Sequence, residues 1–233
     1  MNMSIRPPTQ QQGFSLVELM VTLVISLVAI ISILSLFQGM TRNSVEVKVG
    51  ASLDGDVQLG LLTAHKLLQG AGFSSAADAA TPGYGTDLLL ISKARLDKSG
   101  AFHGTPVASK SLGTPVKAGA GWALLWRSGD TLEGLYAPAK GGLLTLTATG
   151  GATPLTGSSN NWQTNTALIA PPSVDSANLA STGRVGVTLA SSSCQPPGLA
   201  AESVNTGKFT VTLAANGYAA GAAQVSTTCL VNF

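Results

Sequence analysis

The chain has few charged residues, and the two signs are nearly balanced. Charged side chains make up 10% of its 233 residues, with 13 Lys or Arg against 11 Asp or Glu. A nucleic-acid-binding protein usually carries a basic excess that neutralises phosphates. The balance therefore does not indicate nucleic acid as a partner.

Cysteine and histidine are also scarce, with two of each. Cys194 and Cys229 do not form a Cys-x-x-Cys motif, and His65 and His103 are remote in sequence, so we expect no metal and no cofactor. In an oxidising compartment, two cysteines are interpreted most simply as one disulfide. Closing a loop of about 36 residues would stabilise the fold by roughly 3–4 kcal/mol in the chain-entropy model. The alternative is two buried free thiols.

The sequence has few signatures of catalysis or ligand binding. It contains no Gly-x-Ser-x-Gly elbow, and the glycines at 119 and 121 lack the third glycine of a dinucleotide fingerprint. Residues 54–56, Asp-Gly-Asp, begin like a calcium loop but lack its later acidic ligand. We therefore predict that the chain is not an enzyme.

One long apolar run dominates the N-terminal part of the sequence. Glu18 is the only charged residue between positions 14 and 37, and residues 19–37 contain neither proline nor glycine. A helix needs about 20 apolar residues to cross the hydrocarbon core, and in lipid its backbone must satisfy its own hydrogen bonds. We predict a transmembrane helix over residues 14–37. Its Ser and Thr residues at 22, 26, 32 and 35 are expected to bond to their own helix or to a neighbouring one.

Glu18 is unusual in such a segment. A charge at mid-membrane costs up to roughly 3 kcal/mol on insertion scales, and less near an end. No basic side chain lies between Arg6 and Arg42 to pair with it. Cleavage between Gly13 and Phe14 would create an α-amino group one helical turn before Glu18, in reach of Glu18 of the same chain or of an adjacent one. Alternatively, Glu18 lies among the headgroups and favours the helix N-terminus.

Gly13, Phe14 and Glu18, standing at the head of an apolar helix, resemble the processing site of type IV prepilins and type II secretion pseudopilins. The resemblance implies that a membrane aspartyl peptidase, the prepilin peptidase, cuts after Gly13 and N-methylates Phe14. It also implies that Glu18 pairs with a neighbour's N-terminus during filament assembly. The leader, residues 1–13, ends in Gly rather than in the A-x-A pattern of a signal peptide, so cleavage would leave the apolar helix in place.

The same resemblance implies a location and partners. The chain is expected in the bacterial inner membrane, crossing it once with its globular domain in the periplasm, and later in a pilus (fimbrium) at the cell surface. Its expected partners are the prepilin peptidase, other major and minor pilins, the inner-membrane assembly platform and, before assembly, membrane lipid.

An apolar stripe continues beyond the transmembrane segment at close to helical spacing. It comprises Val45, Val49, Leu53, Val57, Leu61, Ala64 and Leu68. Gly50, Gly55 and Gly60 weaken the helix by up to about 1 kcal/mol each relative to Ala, and allow bending or close packing. A glycine-containing stop lies at residues 69–73. We predict one helix of about 55 residues, whose amphipathic half covers residues 38–72.

This second half resembles the equivalent helix of PilW-type minor pilins and of the related GspJ-type pseudopilins. The resemblance rests on Gln-Leu at 58–59, Leu-Leu at 67–68 and Ala-Gly-Phe at 71–73, while His65 and Lys66 replace a common Arg-Asp pair. We interpret the chain as a minor pilin of a type IV pilus that takes part in assembly or priming. The alternatives are a minor pseudopilin of a type II secretion system and a membrane-tethered periplasmic enzyme or binding protein.

Residues 73–233 form the predicted globular domain, where turn-rich segments alternate with short apolar runs. The predicted fold class is α+β and pilin-like, with the long N-terminal helix packed on a C-terminal antiparallel β-sheet domain. Strands are predicted over residues 87–93, 121–127, 131–136, 143–148, 166–170, 184–189, 208–213 and 225–231. Polar segments at 150–165, 173–183 and 191–206 are expected to be loops.

Several side chains of this domain have an expected environment. Residues 122–136 are predicted to form a hairpin that turns at 128–130. Trp122 and Trp126 are spaced for one face of a strand, where core packing is the default, although these two and Trp162 could bind a partner. The alternation over 208–213 predicts one solvated face. His65 and His103, the latter in a predicted loop, are expected to be solvated or structural.

Overall fold

A computed structural model describes the protein over residues 15–72, 83–149, 155, 161–171, 183–194, 207–218 and 223–233. The leader and Phe14 lie outside these ranges. The chain divides into two compact units, residues 1–49 and 50–233, which we treat in turn.

A helix of 55 residues, α1 (Leu16–Gly70), runs through the end of the first unit and the start of the second. Its length and its end confirm the predicted continuous helix. Gly72 follows it with a φ of 77°, a left-handed conformation that ends helices at little cost only for glycine.

In the first unit, α1 is exposed along its whole length. Its most apolar window has a mean hydropathy of 2.8, so the helix is long and apolar enough to cross a membrane. The hydroxyls of Thr22, Ser26 and Ser32 donate to backbone carbonyls one turn earlier, at 2.9, 2.7 and 2.9 Å. These bonds remove polar donors from the apolar surface, as predicted.

Val45 and Val49, the first two residues of the apolar stripe, belong to the first unit and are exposed there. The buried face of α1 begins only at Gly50, where the second unit begins. From there Val57, Leu61, Ala64 and Leu68 are buried, so the amphipathic pattern corresponds to real packing only over this shorter part.

The second unit contains two antiparallel sheets beside residues 50–70 of α1, which confirms the α+β fold class. The larger sheet has the order β2-β1-β3-β4-β5-β6, and the smaller has the order β7-β8-β9. The strands are β1 (Leu88–Leu96), β2 (Phe102–Pro106), β3 (Trp122–Ser128), β4 (Thr131–Ala137), β5 (Leu143–Thr149), β6 (Asn161–Ile169), β7 (Val185–Cys194), β8 (Gly207–Asn216) and β9 (Ala223–Leu230). A 3₁₀ turn, Ser109–Ser111, follows β2.

One core lies between α1 and the two sheets. Trp122 and Trp126 are fully buried in it, which confirms the packing interpretation of their spacing. The Trp122 indole N–H donates to the carbonyl of Val185 at 2.8 Å, so a buried hydrogen bond connects β3 of the larger sheet to β7 of the smaller one. On β8, Phe209, Val211 and Leu213 face this core, and the residues between them are more exposed, as the alternation predicted.

A second core lies on the other face of the larger sheet. Phe102 contacts Tyr136 and Trp162 edge-on, with ring centroids 5.2 and 6.1 Å apart. The backbone N–H of Trp162 on β6 donates to the carbonyl of Gly100 in the β1–β2 turn at 2.8 Å. The two ends of the sheet therefore meet at this point, and Trp162 is a core residue.

Several loop predictions are wrong. β2 was not predicted, and it places His103 on a strand. β6 begins at Asn161, inside the predicted loop 150–165, and β7 and β8 extend beyond the predicted 184–189 and 208–213. In β2, four of five residues are exposed, and in β6 most are exposed, so neither strand has the apolar alternation that marks a strand in sequence.

The β3–β4 hairpin forms as predicted, with a tighter turn. Ser128 pairs with Thr131, which leaves Gly129 and Asp130 as a two-residue connection. Gly129 has a φ of 59°, the positive value that such turns require at their first central residue.

Candidate functional site

Glu18 lies in the first turn of α1, at the head of the apolar segment. The backbone N–H of Leu19 donates to the carbonyl of Ser15 at 3.2 Å, so the helix is formed on both sides of Glu18. An acidic side chain near a helix N-terminus interacts favourably with the unpaired N–H groups there. The local fold therefore holds the carboxylate at the end of the helix that favours a negative charge.

Among the residues that the structure describes, the Glu18 carboxylate has no ion pair, since the salt bridges found join His103 to Asp97 and Arg127 to Asp87. Arg42 lies roughly 36 Å further along a straight helix, at 1.5 Å per residue. A side chain cannot span that distance, so any partner of Glu18 must come from the N-terminal side or from another molecule.

Gly13 and Phe14 lie outside the described residues, so cleavage between them and methylation of Phe14 stay predictions. In sequence, Phe14 precedes Glu18 by four positions. An amine created there would lie on the N-terminal side of Glu18, where the structure describes no partner for the carboxylate.

Cys194 and Cys229 form a disulfide, which is the predicted pairing. Cys194 ends β7 and Cys229 lies in β9, so the bond joins the two outer strands of the smaller sheet across β8, with 5.6 Å between the Cα atoms. Its place in the fold is structural.

His65 makes structural contacts in the second unit. Its Nδ1 lies 2.6 Å from the hydroxyl of Thr228, which is almost fully buried, and its Nε2 lies 2.9 Å from the amide nitrogen of Gln69. Because an amide nitrogen donates, Nε2 is assigned as acceptor and Nδ1–H as the donor to Thr228. His65 therefore fixes α1 to β9.

Asp97 lies in the exposed turn between β1 and β2, and His103 lies at the start of β2. Hydrogen bonds from Ser99 and then from His103 hold the pKa of the Asp97 carboxyl below its usual range. The His103–Asp97 contact is 2.9 Å long, and it closes the β1–β2 connection. The expectation that both histidines are solvated or structural agrees with these contacts.

The sequence did not identify the contacts that Gly50, Asp54 and Tyr218 make. The Asp54 carboxylate accepts a hydrogen bond from the backbone N–H of Tyr218 at 2.7 Å, and the Tyr218 ring lies against Gly50. The Asp-Gly-Asp segment thus lies on α1, and one of its acids holds the loop after β8. Tyr218 is too far along the sequence from Gly50 and Asp54 for a local pattern to relate them. An acid and a glycine four residues apart on one helical face, such as Asp54 and Gly50, are only a weak sign that another segment packs there.

An open groove of about 370 Å³ lies between α1 and strands β4–β6. Its lining includes Leu67, Trp126 and Glu133, and the indole N–H of Trp126 donates to the Glu133 carboxylate at 3.1 Å. Glu133 is the one titratable side chain among the described residues that line it. The groove offers hydrogen bonds and apolar contact.

Comparison with known proteins identifies the N-terminal segment. A family model described as the prokaryotic N-terminal methylation motif matches residues 8–36, which include Gly13, Phe14 and Glu18. No curated protein and no solved structure matches the chain. The motif supports the pilin and pseudopilin superfamily and is consistent with anchoring in the inner membrane. The chain thus carries the N-terminal signal of a type IV pilin or pseudopilin precursor, which prepilin peptidase processes.

Proposed function

We propose that the chain is a minor pilin, a structural subunit of a type IV pilus and not an enzyme. The observation that carries the proposal is the methylation motif at residues 8–36, at the head of a 55-residue helix. The apolar part of α1 within and just beyond this motif is exposed and long enough to cross a membrane. An anchor that is retained after processing suits a subunit that leaves the membrane by lateral packing of helices.

In the proposed pathway, α1 first holds the precursor in the inner membrane with residues 50–233 in the periplasm. Prepilin peptidase then cuts after Gly13 and methylates the amine of Phe14. The assembly platform moves the subunit into a filament of other major and minor pilins at the cell surface, or into a priming complex at its tip. Membrane lipid surrounds the apolar segment of α1 only before this step.

In this proposal, Glu18 sets the position of one subunit along its neighbour in the filament. A lone carboxylate among apolar helices costs up to roughly 3 kcal/mol unless it is paired. The methylated N-terminus of a neighbouring subunit is a cation at the same depth, and pairing removes that cost. A subunit displaced along its neighbour leaves both charges unpaired, so the correct position is favoured.

The PilW-type assignment within this proposal rests on the sequence resemblance at 58–59, 67–68 and 71–73. The Ala-Gly turn at 71–72 follows the helix directly, and Gly72 adopts the left-handed conformation. A minor pseudopilin of a type II secretion system carries the same N-terminal signal. The genes beside this one distinguish the two, because pilus and secretion operons differ in content.

The assembly role of Glu18 is tested by Glu18→Ala, with Asp56→Ala as the matched control. Asp56 is an exposed acid on the same helix, beyond the apolar segment. We expect E18A to fold and to reach the membrane but to enter sheared pili at a tenth of the wild-type level or less, because its neighbour's amine lacks a partner. D56A should enter normally. Wild-type incorporation of E18A would contradict the assembly role.

A further inference from the structure

β9 is an edge strand whose outer side has no backbone partner among the described residues. The smaller sheet has the order β7-β8-β9, and all pairing of β9 is with β8. Backbone hydrogen bonds outside the named strands do not involve residues 223–230. A row of free N–H and C=O groups on an edge is a template for another strand.

Each of the other sheet edges has a feature that hinders pairing with another strand. The outer side of β7 pairs with Val116, which both donates to and accepts from Val187 at 2.8 and 3.0 Å. β6 is held at Trp162 by the carbonyl of Gly100, and its pairing with β5 is interrupted by two register shifts. β2 has only five residues and ends at Pro106, which has no N–H to donate.

β9 has none of these protecting devices. Its sequence, Ala-Gln-Val-Ser-Thr-Thr-Cys-Leu, contains no charge, no proline and no glycine. Its register with β8 is continuous from Phe209–Leu230 to Asn216–Ala223. Natural proteins usually protect an exposed edge with lysine, proline or a bulge. An edge this regular is therefore suited to strand pairing.

β9 is also held rigidly in place before any partner arrives. Cys229 is tied to Cys194 by the disulfide, Thr228 bonds to His65 at 2.6 Å, and the Gln224 amide reaches the carbonyl of Asp54 at 3.5 Å. Val225 between these anchors is 61% exposed. A preformed edge loses little conformational freedom on binding, which favours association.

We propose that β9 pairs antiparallel with β9 of a second copy of this chain and joins two three-stranded sheets into one of six strands. The second copy fits because β9 is self-complementary. It is uncharged, so a two-fold contact brings no like charges together, and its Val, Ser and Thr side chains form favourable cross-strand pairs. The other described edges are shorter, irregular or already bonded, so β9 is also the edge that a second copy is best able to offer. The contact is isologous, and it closes at two copies.

The test uses the full-length chain purified in detergent, with Val225→Lys as the disrupting variant and Thr164→Lys as its matched control. Val225 and Thr164 are exposed residues on edge strands, β9 and β6 respectively. A lysine at this position adds a positive charge to each β9 of the joined sheet and protects the edge, as lysines do on natural edge strands. We expect the dimer dissociation constant, measured by sedimentation, to rise at least about tenfold in V225K, or ~1.4 kcal/mol, and to stay unchanged in T164K.

Two results would overturn the proposal. One is a wild-type chain that is monomeric at all concentrations. The other is a dimer that V225K leaves intact, which would place the contact elsewhere, for example on the apolar part of α1.

A second measurement, photocrosslinking, detects the contact between two copies directly and needs no variant that weakens it. A photocrosslinking amino acid replaces Thr227 on β9 or, as the control, Thr164 on β6, in cells that make the chain. We expect a product of twice the chain's mass from position 227 and none from position 164. Capture at 227 of a protein of different mass, or equal capture at both positions, would exclude β9–β9 pairing. The inference stands independently of the proposed pilin function.

Discussion

Gly60 and Gly55 lie five residues apart on α1 in opposite environments. A Cβ at Gly60 would lie 2.4 Å from the Ile169 side chain and 2.5 Å from the carbonyl oxygen of Leu168, whereas a Cβ at Gly55 would meet nothing within 4 Å. The sequence shows that both glycines weaken the helix. Only the structure shows that Gly60 is where helix and sheet approach closely.

We therefore expect opposite effects from alanine at these positions. Gly60→Ala should destabilise the fold by about 1–3 kcal/mol, because Ile169 and a rigid backbone oxygen must move. Gly55→Ala should stabilise it by up to about 1 kcal/mol through helix propensity alone. Denaturant unfolding of the two variants measures both, and equal effects of the two changes would show that this packing is wrong.

Thr228 and Thr227 are neighbours on β9 with different partners. Thr228 accepts the Nδ1–H of His65 and is almost fully buried, whereas Thr227 is exposed and bonds weakly to Thr212 at 3.3 Å. Thr228→Val should cost about 1–3 kcal/mol, because the shape is kept but the imidazole N–H loses its acceptor. Thr227→Val should change stability by less than about 0.5 kcal/mol. If urea titration gives T228V the stability of the wild type, the His65–Thr228 bond does not hold α1 to the sheet.

Among the elements, those defined by local sequence were the predictable ones. α1 and the β3–β4 hairpin follow from an uninterrupted apolar helix and from a glycine turn between alternating strands. β2 and β6 could not be predicted, because few of their side chains face the core. What makes them strands is pairing with β1 and β5, which is set by residues distant in sequence.

The disulfide stabilises the arrangement of strands in the smaller sheet, because it joins β9 to β7. The bonded residues are 35 positions apart, so in the chain-entropy model it stabilises the fold by roughly 3–4 kcal/mol. Reduction, or Cys194→Ser with Cys229→Ser, should lower the free energy of unfolding by that amount, with little change in far-ultraviolet circular dichroism. Unchanged unfolding after verified reduction would show that the bond adds nothing to stability.

For the whole molecule, the sequence predicts the N-terminal signal better than it predicts the domain that follows. Gly13, Phe14 and Glu18 lie within six residues, and a short local pattern with an apolar helix behind it is enough to recognise them. The edge of β9 is a property of strand order and register, and neither can be derived from the sequence of β9 itself. The continuous register of β9 with β8, and its place at the edge of the sheet, are visible only in the folded structure.

If this chain is made as a prepilin and processed at Gly13, its N-terminus depends on prepilin peptidase. The measurement is the intact mass and N-terminal fragment spectrum of the chain isolated from cells with and without the peptidase. We expect a mature chain that begins with N-methylated Phe14 when the peptidase is present, and a chain that keeps its leader when it is absent. A leader retained in both cells, or an unmethylated amine on Phe14, would contradict prepilin processing.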